Sequence, residues 1–302
     1  MKYFCYAIMI ISTLIGSRIQ AQAASYTPPS ASASVTAKID FSRAQPLDED
    51  YRQQFVNCDG NGRPDLRNTF RGHSLVRPNK PDSQQYYLCT RDPSNLKALL
   101  KLADGGVFWE SKMALDVDGS WVAWEGVGGA TDQRETSFKW PTVQDKQSRQ
   151  AQIDPDRFPF IVIPTDGLKA LTGATSGSLS SEFAKLTGLK MGDVGVVIYK
   201  NQWTPVFIAD GGPFMRIGEG SARVFEGIGE TRCRKWNADK TRCVGPGNGH
   251  YPYRDFGISN QVLFIAWPGS ANPGMGPDAA ITTICNFAQQ KLGLEGSPNC
   301  RR

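Results

Sequence analysis

The sequence predicts a mainly β protein with a few peripheral helices and an N-terminal extension. Two observations carry that expectation. Short apolar runs succeed one another from residue 158 onward, at 158–163, 194–199, 204–209 and 261–267. Each is too short for a helix and is bounded by proline, glycine or polar residues, as buried strands are. Helical spacing, by contrast, is brief. Ile281, Ile284, Ala288 and Leu292 make one face of a helix over 278–292, and Gly293 stops it.

The chain opens like an export signal. Residues 1–23 hold an early cation, Lys2, an apolar run over 7–15 and a small-x-small site at Ala21-Gln22-Ala23. That run is too short to span a bilayer. Cleavage there predicts a secreted chain, extracellular or periplasmic, with no membrane partner. It also removes Cys5 and leaves Cys58, Cys89, Cys233, Cys243, Cys285 and Cys300, an even set that an oxidising compartment pairs. Proximity favours Cys58–Cys89, Cys233–Cys243 and Cys285–Cys300. Loss of Lys2 and Arg18 takes the 34 basic residues to 32 against 29 acidic ones, a net charge of +3. The cations are scattered, so nucleic acid is not expected as a partner. There is no CxxC pair, and His73 and His250 are the only histidines. No zinc site is expected, and no cofactor.

Residues 24–38 are rich in Ser, Ala and Pro and predict a disordered linker. Residues 39–104 form the extension packed on the main domain. Within it, Asn57, Asp59, Asn61 and Gly62 imitate the start of a calcium loop, but the twelfth position is Asn68, where a bidentate Glu is needed. Leu96, Leu99, Leu100 and Ala103 predict a helix over 94–103, capped by Ser94. Short strands are expected at 107–109 and 113–117, and a polar surface excursion over 131–156. The main domain runs over 105–302.

The densest chemistry lies in 206–220, VFIADGGPFMRIGEG. A buried strand ends on Asp210, a Gly-Gly-Pro turn follows, and Glu219 precedes Ser221, the expected cap of a short helix. Two carboxylates at the edges of ordered elements, beside glycines that admit a close ligand, suit general acid/base work. They suit a strand end and a helix start equally well. Asp116 and Asp118 share a face if 113–117 is a strand. Two like charges there need water, a cation or a sugar amine, although Asp118-Gly119 also suits a turn. Trp121, Trp124, Tyr251 and Tyr253 offer flat apolar faces on which pyranose rings stack; burial in a core is the commoner use of such a ring.

The stretch ADGGPFMRIGEGS (209–221), preceded by GDVGVVIY (192–199) and FPFIVIP (158–164), resembles glycoside hydrolase family 75, the fungal-type chitosanases. Upstream, SKMALDVDGS (111–120) resembles the Asp-rich segment that opens that family's catalytic domain. The likeness keeps its order from about Gly105 to Leu292. It implies an endo-acting hydrolase of β-1,4 glucosamine linkages in chitosan that works by inversion. Asp210 and Glu219 would be the catalytic pair; the shared face of Asp116 and Asp118 and the flat rings of Trp121, Trp124, Tyr251 and Tyr253 make these the expected substrate contacts. One departure stands out: the family pattern has Thr after the first acid, and this chain has Gly211. The strand–Asp–Gly–Gly pattern is also similar to double-psi barrels such as membrane-bound lytic transglycosylases and family 45 cellulases. By analogy it implies a compact, double-psi-like β-barrel. Two alternatives follow from the same likeness, a peptidoglycan-cleaving glycosidase or lytic transglycosylase and a non-catalytic carbohydrate-binding module. No GxSxG elbow occurs, which disfavours a serine hydrolase.

Overall fold

A computed structural model describes residues 26–75, 89, 92–165, 182–246, 249–254 and 256–301. The export signal expected over 1–23 lies outside the described residues. The strands are β1 (Gln45–Pro46), β2 (Thr69–Phe70), β3 (His73–Ser74), β4 (Ala98–Lys101), β5 (Val107–Asp116), β6 (Phe160–Pro164), β7 (Val194–Tyr199), β8 (Gln202–Gly212), β9 (Glu219–Ser221) and β10 (Ile258–Ala266). The helices are α1 (Ala33–Thr36), α2 (Glu49–Asp59), α3 (Trp121–Glu125), α4 (Glu182–Thr187), α5 (Ala222–Gly227) and α6 (Ala280–Leu292).

Eight strands form one sheet in the order β1-β4-β5-β10-β7-β8-β6-β9, and a further pairing of β5 with β9 closes six of them into a barrel. The mainly β barrel that the sequence led us to expect is the fold. Two of the barrel's pairings, β6–β8 and β5–β9, are parallel; the others are antiparallel. Trp109, Ile161, Val197, Ile208 and Phe264 belong to the cluster that fills the barrel, as side chains fill any barrel this small. At its centre the rings of Trp109 and Phe264 stack 5.0 Å apart. Helix α6 packs outside, with Ile284 in one cluster and Ala288 and Leu292 in another.

Several local expectations are corrected. Residues 94–103 do not form a helix; 98–101 are strand β4. Ala98 and Leu100 pack into one cluster and Leu99 into another, so both faces of the strand are buried. Apolar residues on both faces imitate helical spacing. The two strands expected at 107–117 are one, because the intervening charges find partners inside. Glu110 accepts a hydrogen bond of 2.7 Å from the Tyr26 hydroxyl, and Lys112 Nζ lies 2.6 Å from Asp92 Oδ2. The linker expected over 24–38 is ordered from residue 26. Val35 is buried with Phe108 and Trp203, and the ring of Tyr26 packs on Phe41 and Phe108. A few apolar anchors hold a segment whose overall composition reads as a spacer.

The calcium-like stretch is the end of α2, closed by Gly60 at φ 80°. Asp59 turns inward, where its oxygens accept the backbone N–H groups of Ser94 and Asn95. The excursion over 131–156 is half core, since Trp140, Ala151 and Ile153 are buried. Ser221 starts α5 as expected, but its hydroxyl bonds to Phe158 O and Phe160 N instead of capping.

Disulfides join Cys58 to Cys89, Cys233 to Cys243 and Cys285 to Cys300, the pairing that proximity favours. They fit a protein of an oxidising, extracellular compartment. Among the described residues no helix is long and apolar enough to cross a membrane.

Deleting residues 24–38 withdraws Tyr26 and Val35 from the packed layer. The loss expected is about 3–5 kcal/mol, from burial of roughly 1.5–3 kcal/mol per large apolar side chain, read from urea unfolding. A spacer would leave the midpoint unchanged.

Candidate active site

Strand β9 has only three residues, yet it pairs on both edges. Glu219 is opposite Ala114 of β5, in parallel register, and opposite Val162 of β6, in antiparallel register. Val162 in turn faces Asp210 of β8. Asp210 and Glu219 therefore flank one residue from opposite sides, two strand spacings apart, or about 9–10 Å between Cα atoms. A bulge makes this possible. The β6–β8 register steps from Ile161–Ile208 to Val162–Asp210, so β8 carries one extra residue, Ala209. The extra residue re-aims Asp210 toward the face that Val162 and Glu219 share. Asp116 lies two residues beyond Ala114 and joins the same face from β5.

Gly218 sets the approach of β9. It has φ 80°, and a Cβ there would lie 2.1 Å from Lys112 O; its own carbonyl accepts from Ala114 N at 3.0 Å. Only glycine satisfies both demands. Gly211 has a local reason of its own. A Cβ there would sit 2.2 Å from Thr165 Oγ1, so the space that a Thr at 211 would enter is filled by Thr165.

The acids meet around a cavity of about 250 Å³ lined by Asp116, Asp118, Asp132, Asp210 and Glu219, with Arg216 the one cation among its described lining residues. A larger cavity, about 650 Å³, opens between Arg157, Lys240 and Asp278, but its acids, Asp239 and Asp278, are exposed. The chemistry points to the smaller one. Asp210 is 5% exposed. Its Oδ1 accepts from Ser137 N at 3.0 Å, Ser137 Oγ at 2.6 Å and Gly211 N at 2.7 Å, and its buried Oδ2 has no hydrogen-bond partner among the described residues. Burial pushes this carboxyl up and those donors pull it back. Glu219, 7% exposed, has Arg216 Nε 3.0 Å from Oε1, off the line of a hydrogen bond. Arg216 is held from behind by Asp92 at 3.3 Å, which also holds Lys112. Burial raises the Glu219 carboxyl, against Lys112 and Arg216. Burial raises Asp116 too, with Asp118, Asp210 and Glu219 adding repulsion. Asp118 is pushed up to about 7, by burial first and by Asp210, Asp132 and Glu219 after it, against the Gln133 N–H.

The structure thus brings Asp116, Asp118, Asp210 and Glu219 together. It does not bring the expected aromatics with them. Trp121 is buried, donates to Cys243 O at 3.0 Å and lies under the Arg242 guanidinium. Tyr253 is buried and donates to Asp156 Oδ1 at 2.9 Å. Both are buried in the cluster around the Cys233–Cys243 disulfide, and their expected role as sugar contacts is corrected. Trp124 is partly exposed beside Arg134, and it does not line the acidic cavity. Tyr251 touches the site at one remove, through a 3.0 Å bond to Asp132. The sequence reading missed Ser137, Asp132, Arg216, Lys112 and Asp92. Arg216 and Lys112 carried a signal, as cations inside the acid motif and inside an apolar strand; Ser137 carried none. No family model and no curated protein matches the chain.

These acids set a pH dependence. An unfolded Asp titrates near 4, whereas Asp118 and the buried Asp156 reach about 7 when folded. A raised folded pKa contributes stability that is full below about pH 4 and is lost as pH rises through about 7. The urea midpoint is expected to fall between roughly pH 4 and pH 7.5. A midpoint that rises over this interval would contradict the assignment.

Proposed function

We propose that the chain is a secreted, endo-acting glycoside hydrolase of the family 75 type, cleaving β-1,4 glucosamine linkages of chitosan with inversion. The observation that carries this is the pairing of Asp210 and Glu219 with opposite edges of Val162. Two strand spacings, with side chains on one face, suit the roughly 6.5–9.5 Å between carboxyl groups that an inverting reaction needs for its water. Asp210 is the base, because three donors on Oδ1 favour its ionised form. Glu219 is the acid, because burial favours its protonated form. Glu219 gives its proton to the glycosidic oxygen as the C1–O bond breaks. Asp210 takes a proton from the water whose oxygen bonds to C1 from the opposite face.

Asp116 and Asp118 accept hydrogen bonds from the substrate ammonium. Five carboxylates against one guanidinium around the cavity favour a cationic sugar over a neutral one. Three disulfides fit the export signal that residues 1–23 predict.

Asp210→Asn and Glu219→Gln are each expected to lower kcat by about 10²–10⁴ while the folded spectrum is retained. Full activity in either variant would remove it from the chemistry. Proton NMR of the first products should show the α-anomer, and an initial β-anomer would mean retention. Sugar release is measured on chitosan and peptidoglycan in parallel; release from peptidoglycan alone would transfer the site to cell-wall cleavage.

Asp118→Asn tests the binding role. It should raise KM by about tenfold, the worth of one hydrogen bond to a charged group, with a smaller effect on kcat. Collapse of kcat at constant KM would make Asp118 part of the chemistry.

A further inference from the structure

We infer that Asp116, Asp118 and Asp210 bind one hard divalent cation, calcium by preference, across the mouth of the barrel wall. One oxygen from each carboxylate lies within 4.8 Å of the other two. Calcium takes oxygens at about 2.3–2.6 Å, so opposite ligands of one ion stand about 4.6–5.2 Å apart. The three carboxylates meet that limit as they stand.

A second observation points to the ion independently of the clustering. Asp210 is 95% buried by its 5% exposure, and its two oxygens are treated unequally. Oδ1 is saturated by Ser137 and Gly211, whereas Oδ2 is buried with no hydrogen-bond partner among the described residues. A buried carboxylate oxygen without a donor is costly, and among the described residues lining this cavity Arg216 alone carries positive charge. Arg216 is already engaged, with Asp92 at 3.3 Å and Glu219 at 3.0 Å. A bound cation would supply charge next to that oxygen.

The remaining contacts shape the site. Asp118 is fixed by Gln133, whose N donates to Oδ1 at 2.7 Å and whose Nε2 donates to Oδ2 at 3.0 Å. Asp116 Oδ1 accepts from Asp118 N at 2.8 Å. The donor set is oxygen only, which excludes a preference for zinc or copper. It comes from a strand end, a turn and a second strand, an irregular arrangement that calcium tolerates and that magnesium, with its strict octahedron and firmly held waters, does not. The inference does not rest on hydrolysis. Under the glycosidase reading, the ion and the substrate ammonium compete for the same oxygens.

The test is isothermal titration of chelator-treated full-length secreted protein with calcium chloride, without sugar. One site per chain is expected, with Kd about 0.1–1 mM, the range of extracellular calcium modules. Asp116→Asn and Asp118→Asn should each weaken binding by about tenfold or more, whereas Asp65→Asn, an exposed acid paired with Arg63, should not. Absence of saturable binding up to about 10 mM, or binding indifferent to both variants, would overturn the site. Should both variants fail to fold, the wild-type protein still decides: calcium must bind at least about tenfold more tightly than magnesium, and equal affinities overturn the inference. Repeating the titration with glucosamine oligomers separates the two readings. A raised apparent Kd supports shared oxygens, while an unchanged Kd leaves the ion site standing and counts against ammonium binding there.

Discussion

The double pairing of β9 is the constraint on which the rest depends. A strand of three residues adds little stability by itself, yet it joins β5 to β6 and so closes the barrel. It reaches both because Gly218 lets its backbone come close to Lys112, where any side chain would collide. Closure then fixes the chemistry. Ala114 and Val162 are the two neighbours of Glu219, and each leads along its own strand or pairing to another acid. Without β9 the wall between β5 and β6 would be open, and Asp116 would have no fixed relation to Asp210.

Electrostatic cost follows from the same geometry. Carboxylates collected on one buried face repel one another and lose water, and each of those effects favours the protonated form. The fold answers on two sides of the wall in different ways. Behind Glu219, buried Lys112 and half-buried Asp92 and Arg216 form a chain of alternating charge. Behind Asp210, among the described residues, no ion pair is in contact; neutral donors from Ser137 and Gly211 do most of the stabilising, on one oxygen, with Lys139 adding a more distant charge. The two acids therefore sit in unlike surroundings, and unlike surroundings are what separate an acid from a base in a pair of carboxyl groups.

Much of the fold was legible in the sequence because buried strands advertise themselves as short apolar runs, and 158–164, 194–199, 204–209 and 261–267 all fall on barrel strands. Residues 94–103 were misread because a strand buried on both faces has no alternation to show. Residues 26–38 depart from the spacer their composition suggests because composition averages over the few side chains, Tyr26 and Val35, that matter. The acids of the site were visible as residues, but their convergence was not. A one-residue bulge at Ala209 and a positive φ at Gly218 decide it, and neither is encoded by residue spacing. The cation site has the same character. Sequence motifs for metals rely on ligands close together in the chain, whereas Asp210 meets Asp116 and Asp118 only through the closed wall.

Burial of Trp121 and Tyr253 changes what kind of recognition this site can perform. Stacking platforms read the apolar faces of sugars and are indifferent to an amine or an acetamide. With those rings in the core, no Trp or Tyr among the described residues lines the cavity, and charge is what remains. With the export signal cleaved, 32 basic residues stand against 29 acidic ones, a net charge of +3, so a polycation is repelled by the surface at large and attracted only where the carboxylates converge. A low-dielectric wall focuses that local field, and opposite signs on surface and cleft sharpen the contrast between them. A neutral N-acetylated chain would offset none of the carboxylate repulsion, while an ammonium placed among Asp116, Asp118 and Asp210 would relieve it. In the glycosidase reading, discrimination for free amines is thus a consequence of how the acids are packed. It should weaken as salt screens the field, since what distinguishes the preferred sugar is a charge and not a shape.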